Sequence, residues 1–123
     1  MEEHGVCEYI ESNPDALFRL VADLVEIPSV SGNEGEVQER VIREMEDLGL
    51  EPDVWEPNVA ELRGHPGFFE TKTYDEVGYD GRPNVAATAS GTGDGRSLVL
   101  SGHVDVVDVD DDEWTYDPWK ATT

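Results

Sequence analysis

Acidic side chains outnumber basic ones 29 to 8 in these 123 residues, so any fold must hold a formal charge of −21 together. The excess is spread along the chain, and lysine occurs only at Lys72 and Lys120. Such a balance admits two outcomes. High net charge with 37% hydrophobic residues favours an unfolded chain. A folded chain would instead carry a strongly acidic surface, as proteins do in organisms that keep molar salt inside the cell. The periodic apolar segments described next select the folded, halophile-like alternative. Carboxylate repulsion then predicts weak folding in dilute buffer and cooperative folding in molar KCl, where the Debye length falls to about 3 Å. With no basic patch to neutralise phosphates, nucleic-acid binding is excluded, and docking on an anionic membrane is disfavoured. No apolar run approaches the ~18 residues of a spanning helix, and the amino end lacks the basic start of a secretory signal. Cys7 is the single cysteine, so no intramolecular disulfide forms. The expectation is one soluble, cytoplasmic domain.

Two helices are legible. Asn13-Pro14 reads as an N-cap followed by proline at the first helical position. Leu17, Leu20, Val21, Leu24 and Val25 then give one apolar face, and Pro28 closes the segment. After a turn at Ser29-Val30-Ser31-Gly32, Asn33 and Glu36 suggest a capping box. Val37, Val41, Met45 and Leu48 make the second helical stripe, with Gly49 as its C′ residue. A short strand is expected at Asp53-Val54-Trp55, then a long irregular insert from Glu56 to Arg82 with one helical turn near Ala60. Strands at 84–89 and 97–100 would form a hairpin through Gly91-Thr92-Gly93-Asp94-Gly95. Ser97-Leu98-Val99-Leu100-Ser101 has the composition of a buried strand. This order predicts an α/β or α+β layer fold.

One segment carries chemistry. The apolar run leads into Ser101-Gly102-His103-Val104-Asp105-Val106-Val107, so His103 falls just past the carboxyl end of a strand, where open α/β sheets place ligand sites. Residues i and i+2 of an extended chain share a face. Asp105 could therefore accept a hydrogen bond from one imidazole nitrogen of His103 while the other binds a metal, the usual support of a metal-bound histidine. A lone His-x-Asp pair also fits a polar strand end that only satisfies backbone groups.

The run from Leu98 to Val107, followed by Trp114-Thr115-Tyr116-Asp117-Pro118-Trp119, resembles the first metal-site signature of a two-metal amidohydrolase and exopeptidase family. That family includes acetylornithine deacetylase, succinyl-diaminopimelate desuccinylase and aminoacylase. Leu24 to Gly32 is similar to the family's opening helix end and loop, Glu61 to Phe68 to the insert of its deacetylase and desuccinylase branch, and Asn84-Val85 also matches. Asp108 departs from the family's usual proline. The resemblance implies a metal-dependent α/β catalytic domain, opening with two helices followed by strands of a mixed sheet, that hydrolyses the amide bond of an N-acyl amino acid, binds two divalent ions (zinc, with cobalt possible) and works as a homodimer. His103 would be a zinc ligand and Asp105 the catalytic aspartate that orients it. The family's bridging aspartate, its Glu-Glu pair, its remaining ligands and its dimerisation domain have no counterpart here, the one Glu-Glu pair being Glu2-Glu3. Residues 1–123 are therefore expected to be the opening portion of the catalytic domain and inactive alone. A dipeptidase or carboxypeptidase of the same family, and a non-catalytic acidic binding module, stay open as alternatives.

Other features carry less. Asp108, Asp110 and Asp112 alternate like the start of a calcium loop, but Glu113 and Trp119 stand where that loop needs glycine and glutamate. His4 with Cys7 is too small a ligand set, His65 reads as a loop residue, and Gly91–Gly95 lacks the Lys-Ser or Lys-Thr of a phosphate loop. Trp114, Tyr116 and Trp119 are expected to pack.

Overall fold

The computed structural model describes residues 3–110 and 114–122. Two compact units form: residues 29–108, and a second comprising the chain up to Pro28 together with the chain from Val109. No helix among the described residues is long and apolar enough to cross a membrane.

The second unit opens on a helix absent from the expectations above, α1 (Glu3–Ser12). Val6, Tyr9 and Ile10 fall at helical spacing, yet each stays about half exposed or more. The next helix, α2 (Pro14–Val25), begins with proline at its first position, as expected. Asn13 does not cap it with its side chain; its Nδ2 instead donates to the Tyr9 carbonyl at 2.8 Å, closing the end of α1. The orphan carbonyls of α1 compete successfully for this side chain because α1 exists. The apolar face of α2 is only partly covered, with Leu17 and Val21 each 50% exposed. Trp114 and Tyr116 are also mainly exposed, which corrects the expectation that they pack; no helix or strand forms around them. Here Asp117 accepts the Trp119 N–H at 3.0 Å and pairs with Lys120, and these contacts hold its carboxyl below the usual range.

In the larger unit, α3 (Gly35–Asp47) carries the expected stripe, with Val37 buried, Val41 and Met45 half-buried, and Leu48 exposed. Its carboxyl end matches expectation closely. Gly49 has φ +75°, its N–H donates to the Glu46 carbonyl at 2.8 Å, and the Leu50 N–H donates to the Met45 carbonyl at 3.0 Å. The capping box at the other end does not form. Glu34 takes the N-cap position without a side-chain cap, because its carboxylate is engaged elsewhere.

The sheet differs most from expectation. Strand β1 (Asp53–Trp55) pairs antiparallel with β2 (Asn84–Ala86), setting Val54 opposite Val85. The Glu56 carboxylate accepts the Gly81 N–H at 2.7 Å, which closes the intervening loop and brings residue 84 opposite residue 55. That loop is more ordered than its composition suggests. It contains α4 (Val59–Leu62), capped by Asn58 at the expected turn near Ala60, and α5 (Lys72–Val77), capped by Thr71. The expected 84–89/97–100 hairpin is absent: β2 stops at Ala86, and Leu98, Val99 and Leu100 are 80–86% exposed. No described residue offers the apolar run a paired strand or a covering face. The observed fold is thus a small helix-rich unit with a two-stranded antiparallel sheet, consistent with a piece of an α/β domain, together with one isolated parallel bridge between Val30 and Val106.

Candidate functional site

The bridge at Val30 brings together two segments more than 70 residues apart. Ser29 is 3% exposed; its Oγ donates to the Val104 carbonyl at 2.8 Å, and its own carbonyl accepts the Val106 N–H at 3.0 Å. Residues 103–106 are thereby held extended, which puts His103 and Asp105 on one face. His103 Nδ1 lies 3.0 Å from Asp105 Oδ1 and 3.1 Å from the Asp105 carbonyl oxygen. Both neighbours are acceptors, so Nδ1 carries a proton, and in the neutral ring Nε2 is the nitrogen left with a lone pair. The imidazole is 83% exposed and Nε2 meets no partner among the described residues. The second carboxylate oxygen of Asp105, Oδ2, accepts the Ser31 hydroxyl at 3.1 Å.

A buried ion pair braces this corner. Glu34, 6% exposed, accepts Arg82 Nε on Oε2 at 2.6 Å and Arg82 Nη2 on Oε1 at 2.7 Å. The Gly32 N–H adds a third bond to Oε1 at 3.0 Å, and Arg82 Nη1 donates to the Gly78 carbonyl at 2.7 Å. Burial alone would push the Glu34 carboxyl up, but the Arg82 guanidinium and the Gly32 N–H outweigh it and hold the group below its usual range. Glu34 in turn raises the guanidinium's already high pKa. Arg82 also lies over the Tyr79 ring, 5.8 Å from its centroid. Two glycines make the approach possible. Gly32 sits at φ +102°, and a Cβ on Gly35 would lie 2.7 Å from the Gly81 carbonyl oxygen.

An open cleft of about 1210 Å³ in this unit has Glu34, Arg82, Trp55, His103 and Asp105 among its walls. No group of three imidazole, thiol or carboxyl side chains able to hold a metal comes together among the described residues. The donor chemistry therefore fits His103 as one ligand of a centre and does not close a centre. Asp112 and Glu113 of the acidic run lie outside the described residues. His65 is a loop residue, its Nδ1 accepting the Gly67 N–H at 3.1 Å. Ser29, Ser31, Glu34 and Arg82 were not recognisable as site residues from sequence, because the contacts that bring them together span 48 or more positions, Glu34 with Arg82 and the two serines with Val104 and Asp105.

No protein-family model matches the chain, and no solved structure matches it. Curated proteins do. An N-formyl-4-amino-5-aminomethyl-2-methylpyrimidine deformylase of Halalkalibacterium halodurans is 31% identical over 120 residues, covering 93% of this chain and 23% of that protein. These homologues are amidohydrolases. A succinyl-diaminopimelate desuccinylase of Methylobacterium radiotolerans is 34% identical over 109 residues, 88% of this chain and 23% of that protein. An acetylornithine deacetylase of Buchnera aphidicola is 43% identical over 54 residues, 44% of this chain and 13% of its own length. The chain thus spans about a quarter or less of the relatives it matches.

Proposed function

We propose that this chain supplies the opening portion of the catalytic domain of a metal-dependent amidohydrolase acting on N-acyl amino acids, with a homodimer as the working form. The observation that carries this reading is the His103–Asp105 pair: the carboxylate fixes the proton on Nδ1 and leaves Nε2 directed outward as a ligand atom. His103 is a metal ligand and Asp105 the catalytic aspartate that sets its tautomer and ring direction. His103 would hold one of two divalent ions, zinc or cobalt, whose chemistry there would be polarisation of the substrate carbonyl and activation of water. The similarity to a deformylase, a desuccinylase and a deacetylase supports an acyl-amide substrate.

The test uses the natively expressed protein, its intact mass determined first, with N-acetylornithine, N-succinyl-diaminopimelate and dipeptides as substrates. Hydrolysis of an acylated amino acid, abolished by chelation, is expected of a product several-fold heavier than these 123 residues, and none of the 13.6 kDa chain alone. His103→Ala should lose one metal equivalent together with turnover, and Asp105→Asn should weaken metal binding about 10–100-fold. Unchanged stoichiometry and turnover in His103→Ala would overturn the assignment.

A further inference from the structure

We infer that Ser31 is a positioning residue, its hydroxyl holding the Asp105 carboxylate in the rotamer that orients His103. This role rests on the reading of His103 and Asp105 given above and extends it to a side chain 74 positions away. The two carboxylate oxygens are divided between two donors: Oδ1 takes the His103 Nδ1–H at 3.0 Å, and Oδ2 takes the Ser31 hydroxyl at 3.1 Å. With both oxygens engaged on opposite sides, the carboxylate can neither turn about its broad terminal torsion nor leave its χ1 well without breaking a hydrogen bond, whereas one bond alone would leave it free to do either. His103 gains from this because it is 83% exposed and has no packing of its own to hold the ring.

Ser31 is suited to the task because it stands between two anchors. On its amino side, Ser29 is locked to Val104 and Val106, which fixes the distance between the two segments. On its carboxyl side, Gly32 adopts a left-handed conformation at φ +102° and donates its N–H to Glu34, which Arg82 clamps with two hydrogen bonds. A polar path thus runs from Arg82 through Glu34, Gly32 and Ser31 to Asp105 and His103. Its last links are exposed, so water competes for them and the expected effect is moderate.

The experiment is NMR on the full 123-residue chain in molar KCl, at a pH well above the ordinary imidazole pKa of about 6.5 so that the ring is neutral. Long-range proton–nitrogen spectra read the His103 tautomer. Three-bond couplings read the Asp105 χ1 rotamer, which is needed because the Asp105 carbonyl also attracts the Nδ1 proton. Ser31→Thr keeps a hydroxyl and Ser31→Val removes it from the same shape, so comparing them isolates the hydroxyl from any loss of packing. The expected result is a wild-type tautomer ratio and a single Asp105 rotamer in the threonine variant. In the valine variant the ratio should move about fivefold toward the Nε2–H form, with averaged couplings. Identical ratios and couplings in the two variants would overturn the role of Ser31. The readout needs neither metal nor substrate, so failure of the hydrolysis assay would remove the proposed activity and leave this result standing, and an unchanged ratio would do the reverse.

Discussion

Two stretches of the larger unit invert the usual relation between polarity and burial. The corner built from Ser29 to Gln38 and Gly78 to Pro83 buries a hydroxyl and a carboxylate, whereas the most apolar run of the chain, Leu98-Val99-Leu100, lies almost wholly exposed. The hydroxyl and the carboxylate stay buried because each finds a partner, Ser29 on Val104 and Glu34 on Arg82 and Gly32; Gln38 Nε2 donates to the Pro83 carbonyl at 2.9 Å, while its buried Oε1 meets no partner among the described residues. The apolar run stays exposed because no described segment supplies a surface to cover it. Hydrophobicity creates a drive toward burial, but burial needs a second surface, while a donor and an acceptor can complete each other at one point. Val37 is the one fully buried apolar side chain among the described residues, so the corner is held by directional bonds around a very small core.

The largest expected effect tests whether that corner outlasts the rest of the molecule. Removing salt should cost most of the cooperative fold, because a charge of −21 then repels unscreened. Buried pairs depend on salt less than surface charge does, so amide protection at Gly32 and Val106, which donate to Glu34 and to the Ser29 carbonyl, should persist to lower KCl than protection elsewhere in the unit. Circular dichroism and hydrogen exchange across a KCl series would show it. A folded spectrum equal in dilute and molar salt would remove the acidic-surface argument.

Next in size is Glu34→Gln, expected to destabilise the larger unit by about 3 kcal/mol in molar KCl, since it strands the half-buried Arg82 guanidinium. The same pair predicts an acid limit. Glu34 has a folded pKa below its ordinary value of 4.5, so its contribution is fully present above that value and is lost as pH falls through the lowered one. Wild type should therefore lose stability below about pH 4.5 more steeply than Glu34→Gln does. Parallel acid transitions of the two proteins would show that the ion pair adds nothing. Val37→Ala should cost about 2 kcal/mol by denaturant titration, the ordinary result of emptying a buried apolar site.

The smallest effect belongs to the apolar run. Leu98→Thr with Leu100→Thr should change stability by no more than about 0.5 kcal/mol, because both side chains already face solvent. A loss of 2 kcal/mol or more would break the contrast outright, by showing that the run is buried in solution.

Much of the local structure was legible from the residues. Pro14, the stripe of Val37, Val41 and Met45, and Gly49 each act through neighbours within about one helical turn, so helix starts, faces and ends can be read directly. The i, i+2 relation of His103 and Asp105 was readable for the same reason, and their 3.0 Å contact follows from an extended backbone. Where two local solutions competed, sequence could not choose between them. Asn13 could cap the helix after it or close the helix before it, and only the presence of α1 settled which. The partner of β2 was decided by Glu56 reaching Gly81 across the loop, and the support of Asp105 by a serine 74 residues away. Contacts of that span leave no periodic trace in the chain, because neither partner's residue type reveals the other. The sequence alone determined the acidic surface, two of the helices and the paired His103 and Asp105. The tertiary structure decided which polar groups meet, since hydrogen bonds select partners by position in space.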